Sequence, residues 1–97
     1  MPRNQKLTAV IKGRCIQSAT GEPGKLVIVF DDQSIMTVKT AGVAATISTG
    51  AKIKAVLEDR DECTLQFEDG SSARLRIADP GASVAVRDRA NAVEYLG

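Results

Sequence analysis

Apolar side chains recur at every second position in several short runs of the chain: Leu26, Ile28 and Phe30, then Cys63, Leu65 and Phe67, then Ala73, Leu75 and Ile77. Period two is the mark of strands with one buried face. No window holds a 3.6-residue period beyond two turns, so the reading is all-β and Leu7, Ala9, Ile11 and Cys15 are taken as a further inward-facing strand. Between the runs stand Gly21 to Gly24, Asp31-Asp32, Asp59 to Glu62, Asp69-Gly70, Asp79-Pro80-Gly81 and Asp88 to Asn91. These are turn formers, and their spacing describes consecutive hairpins.

Self-comparison sharpens the picture. Residues 26–39, LVIVFDDQSIMTVK, align without gaps on residues 63–76, CTLQFEDGSSARLR. Phe30 falls on Phe67, Ser34 on Ser71 and Lys39 on Arg76. Upstream, Ile11-Lys12 matches Ile53-Lys54 if the first copy holds five extra residues in a turn over Ser18 to Gly24. The whole chain, 1–97, reads as a single β domain with a possible internal repeat, 9–40 and 51–77, and a closing hairpin over 84–96. About eight short antiparallel strands suit a small barrel or a sandwich. A partly open SH3-like barrel is the favoured version, and the run of Phe, acidic pair, Ser and aliphatic-basic pair resembles Tudor-like and other SH3-like modules over under twenty residues of each copy.

The register also says what faces outward, because a slip of one residue would move a whole apolar set into water. In the second copy the outward set is Lys54, Val56, Glu58, Thr64, Gln66, Glu68, Arg74 and Arg76, largely polar. In the first it is Val10, Lys12, Arg14, Val27, Val29, Ile35, Thr37 and Lys39. Val10, Val27, Val29 and Ile35 are the candidate protein interface, since a cluster of aliphatics on one strand face calls for a cover, by the C-terminal hairpin or by a second chain.

Composition removes several function classes. The 97 residues carry 13 Lys and Arg against 12 Asp and Glu, a net charge of +1. Bulk charge therefore makes no case for nucleic acid, and any such case rests on distribution. Basic residues at outward strand positions, Lys12, Arg14, Lys39, Lys54, Arg74 and Arg76, form the candidate nucleic-acid face, the alternative to a protein interface. No apolar run approaches a membrane span, and a cytoplasmic location without membrane contact is expected. Cys15 and Cys63 lack any zinc spacing and are expected to be free, inward and protected.

Catalytic chemistry finds no foothold in the residue types. Histidine is absent, which removes the usual general base and the partner of Ser or Cys nucleophiles. The acidic pairs sit at expected hairpin tips, where geometry and solvent favour carboxylates and nothing raises their pKa. Thr20 to Lys25 lacks the first glycine and the final hydroxyl of a phosphate loop, and Glu58 to Glu62 lacks the calcium-loop spacing. With three aromatics in all, Phe30, Phe67 and Tyr95, no cage or stacking platform can be assembled. The expectation is a non-enzymatic binding module for protein-protein interaction or self-association, with no cofactor, metal or small-molecule substrate.

Overall fold

The computed structural model describes residues 3–41, 47, 49–79 and 82–97. A short helix, α1 (Gln5–Ile11), precedes eight strands: β1 (Ile16–Glu22), β2 (Lys25–Phe30), β3 (Ile35–Lys39), β4 (Ile53–Asp59), β5 (Glu62–Phe67), β6 (Ser72–Arg76), β7 (Val84–Arg87) and β8 (Val93–Leu96). They form two antiparallel sheets, β1-β2-β3-β7-β8 and β4-β5-β6. Two three-strand units and a C-terminal hairpin are thus present. The corner expected at Pro80-Gly81 lies outside the described residues.

The two units repeat at a constant offset, residue n matching residue n+37. Ile16 pairs with Phe30 and Ile53 with Phe67, and each first strand carries a bulge immediately after that pair. Phe30 N–H donates to the Ser34 carbonyl and Phe67 N–H to that of Ser71. Asp32 and Asp69 each accept from the amide and hydroxyl of the serine two residues on, the turn geometry for which Asp is favoured. The match is gapless upstream too, so Ile53 corresponds to Ile16 and not to Ile11. The five extra residues vanish because β1 runs straight through Ser18 to Glu22, and the turn shrinks to Pro23-Gly24, with Gly24 at φ 81°.

Equivalent positions of the two units meet at both seams between the sheets. Cys15 bridges Lys52 and Thr40 bridges Ile77, each residue facing its own counterpart. The surrounding bonds are reciprocal: Ile16 N–H to Ala51 O with Ile53 N–H to Arg14 O, and Ala41 N–H to Arg76 O with Ala78 N–H to Lys39 O. The units are therefore related by a local twofold axis. Among the described residues each seam holds one bridge and no continuous ladder, so the arrangement is not a closed barrel.

Between the sheets lies one core. Ile28, Phe30, Met36, Val38, Leu65, Leu75 and Ile77 are all buried there, as the alternation predicts. Three inward and outward assignments are corrected. Residues 5–11 are helical, which buries Leu7 and Ile11 one turn apart, leaves Ala9 exposed and packs Val10 partly against the core. The bulge at Lys54 shifts the pleat, so Val56 is buried and Leu57 is half-buried. Thr64, though on the outer side, is buried between Leu57 and Arg74 of the flanking strands.

The helix also closes an edge. Arg3 bridges Leu57, Asn4 N–H donates to the Val56 carbonyl at 2.9 Å, and the Thr8 hydroxyl oxygen accepts from Val56 N–H at 3.0 Å. Backbone groups of β4 that would otherwise invite another strand are thereby occupied.

Candidate protein-docking face

Directly paired residues in a sheet share a face, so the register of β1, β2, β3, β7 and β8 gives the outer surface row by row. One row runs Ser18, Val29, Ile35, Arg87, Val93 and the next Thr20, Val27, Thr37, Ala85, Leu96. Among the described residues the exposed large hydrophobics are Ile35 at 40%, Val93 at 48% and Leu96 at 68%. All three stand on this face. Val27 and Val29 beside them are half-buried.

The C-terminal hairpin does not cover the patch. β7 pairs along the edge of β3, Ile35 opposite Arg87 and Thr37 opposite Ala85, and so widens the face to five strands. The expected internal cover is replaced by extra apolar surface. A hairpin added at an edge satisfies backbone groups, whereas laying it across the face would leave its own backbone unpaired.

The second unit is an internal control, having the same backbone. Where the first unit has Val27, Val29, Ile35 and Thr37, the second has Thr64, Gln66, Ser72 and Arg74. Core types are kept while outer types change. The second unit forms the same three-strand arrangement with a polar outer row.

Val10, the remaining candidate interface residue, belongs to α1 and packs partly against the core. Alternation alone missed Ala85, Val93 and Leu96, because the pairing of β7 with β3 joins segments far apart in sequence.

The candidate nucleic-acid residues do not come together as one stripe. Lys12 follows helix α1, Lys39 sits at the end of β3, Lys54 is the bulged residue of β4, and Arg74 and Arg76 lie on β6. Arg14 is engaged and largely covered. Its guanidinium forks onto Glu94, with Nη2 to Oε2 at 2.7 Å and Nη1 to Oε1 at 3.1 Å, and it also donates to the Ser34 hydroxyl at 2.9 Å. Nε lies 3.4 Å from Asp32 and the charge sits over the Phe30 ring at 6.0 Å. The hydrogen bond to Glu94 outweighs burial and raises the Arg14 pKa. Arg14 thus ties β8 to the β2–β3 turn. Its counterpart in the second unit is Ala51, and among the described residues no hairpin is tied there.

Asp32 shows why these acids suit turns. Burial pushes its carboxyl up, but the Ser34 hydroxyl and amide and the Arg14 charge together hold it below 3.8. For Asp69 the Ser71 hydroxyl and amide lower the pKa outright. Cys63 is buried and its thiol is pushed up to about 12 by burial and by Glu58, whereas Cys15 is half-buried at the seam, less protected than alternation implies. Among the described residues no helix is long and apolar enough to cross a membrane.

No protein-family model, curated protein or solved structure matches the chain.

Proposed function

We propose that this chain is a non-enzymatic binding module whose outer five-stranded face docks another protein chain. The observation that carries the reading is the contrast between units: one scaffold, present twice, is aliphatic outside in one copy and polar in the other. Apolar surface that folding does not need, widened by Leu96 and Val93, has its physical use in association. A partly open SH3-like barrel belongs to this same reading, supported by the two bulged strands that curl the units around one core.

The nucleic-acid alternative has less support, because Arg14 is spent within the fold and Arg76 lies 3.8 Å from Asp61. The test of the docking reading is Val27→Lys with Ile35→Lys, both substitutions lying on the outer face. The variant should keep the parent's circular dichroism and lose self-association or partner retention in size-exclusion and pull-down measurements. A parent without self-association or partner, or a variant that keeps both, would end the reading.

A further inference from the structure

At one end of the docking face a third row continues the register, Glu22, Lys25 and Lys39. Lys25 and Lys39 stand directly opposite one another, and like charges so placed destabilise a sheet. The matching pair in the second unit is Glu62 with Arg76, opposite charges. Glu22 lies on the far side of Lys25, one strand removed from Lys39. Among the described residues neither lysine makes an ion pair within 4.0 Å. The first unit therefore carries an unneutralised ammonium, at Lys39, where its own duplicate shows that the fold accepts a neutralised pair.

Lys39 also forms the rim of a groove. About 390 Å³ of space lies over β3, β7 and the end of β8, bounded by Thr37, Lys39, Ser83, Ala85 and Leu96. The volume is near the lower end of the ~300 to 1,000 Å³ typical of ligand pockets, room for a few side chains of a segment. Its floor is small and apolar, Ala85 between Thr37 and Leu96 in the register, and among the described lining side chains the charged one is Lys39.

We propose that this groove takes a short segment of another protein that carries a carboxylate beside an aliphatic side chain. The aliphatic group fills the space over Ala85 against Leu96, and the carboxylate, from Asp or Glu, meets Lys39 and relieves its repulsion with Lys25. This assignment rests on the outer face being the docking surface, and adds the chemistry of the partner. Charge complementarity selects the occupant: a basic or neutral segment leaves the lysine pair as unfavourable as before.

The experiment uses the intact chain, immobilised and exposed to a phage-displayed library of random dodecapeptides. The expected result is enrichment of Asp or Glu within two positions of Leu, Ile, Val or Met. Synthetic copies of the selected peptides should bind the parent, weaken with added salt, and lose roughly three- to tenfold in affinity with Lys39→Glu. Selection on the Lys39→Glu chain should favour Lys or Arg instead. That variant should unfold at or above the parent's midpoint, since it removes a like-charge pair, and Lys39→Gln provides a neutral control.

Peptides lacking acidic residues, unaffected by Lys39→Glu but lost with Val27→Lys and Ile35→Lys, would overturn the carboxylate chemistry and leave the docking face standing. Peptides indifferent to both variants would overturn both. A library that yields nothing overturns the segment proposal, and the docking face is then judged by the association measurements alone. Self-association of the parent that Lys39→Glu leaves intact would identify the occupant as a second copy and likewise overturn the acidic segment.

Discussion

Replacing Thr8 with valine tests how the chain protects the edge of β4. The substitution keeps the side-chain volume and removes one oxygen. That oxygen accepts from Val56 N–H at 3.0 Å, and its hydroxyl reaches the Val56 carbonyl at 3.4 Å. Thr8 is 6% exposed and Val56 fully buried, so water does not readily replace the lost partner. The carbonyl keeps its bond from Asn4 N–H at 2.9 Å, and the amide is the group left unsatisfied. Such a group costs about 1 to 3 kcal/mol. For a domain this small each kcal/mol lowers the midpoint by about 4 to 8 °C, so Thr8→Val should melt roughly 4 to 24 °C below the parent. Thr8→Ser keeps the oxygen and should lose much less. Thermal unfolding by circular dichroism gives the midpoints, and amide exchange at Val56 reports the opening itself. If Thr8→Val and Thr8→Ser melt together, with Val56 equally protected, the helix does not hold this edge.

Other consequences follow from the core, the thiols and the turns. Phe30 and Phe67 occupy equivalent buried positions, and Phe→Ala at either should cost ~3 to 5 kcal/mol, well over ~10 °C in the midpoint; a shift within a degree or two at Phe67 would contradict the register. A thiol reagent at pH 8 should label Cys15 of the folded chain while Cys63, buried with its thiol pushed up to about 12, stays unmodified until unfolding; equal labelling rates would refute this. Asp32 is held below its ordinary 3.8 in the fold, so its contribution is complete above that value and disappears as pH falls through the lower, folded pKa. Midpoints of the parent and of Asp32→Asn, measured from pH 6 to 2, should accordingly converge in acid, and a constant gap would show that the carboxylate is not the group involved.

The legible parts of the fold are those written in local alternation. Leu26 to Phe30 and Cys63 to Phe67 announce their buried faces because nothing interrupts their pleat, and the aligned Asp32-x-Ser34 and Asp69-x-Ser71 turns set the repeat. Leu7, Ala9 and Ile11 fit period two and a single helical turn equally well, and seven residues are too few for periodicity to decide. The useful signal was at the ends: Asn4 accepts from Leu7 N–H at 3.0 Å as an N-cap, and Gly13, at φ 85°, follows the last turn. Both are helix punctuation rather than pattern. The bulges at Gln17 and Lys54 leave no local trace, so alternation places Val56 outside while the fold buries it. Of the candidate site, the aliphatic stripe on β2 and β3 was readable, whereas its extension through Ala85 and Leu96 depends on a tertiary pairing.

On the proposed function, the first unit's outer aliphatics serve association and not folding. The second unit supplies the test, as Val27→Thr, Val29→Gln, Ile35→Ser and Thr37→Arg install its own outer residues on an equivalent backbone. Strand propensities differ by up to ~1 kcal/mol per site, and these changes partly offset one another, so a folded variant within roughly 10 °C of the parent is expected. The decisive measurement is fluorescence-detected sedimentation of labelled parent and variant, each alone at high concentration and in extract of the source cells. The parent is expected to sediment in larger species in at least one of these settings, and the folded variant as a monomer in both. A parent that is monomeric in both, or a variant that keeps the parent's complexes, would contradict it.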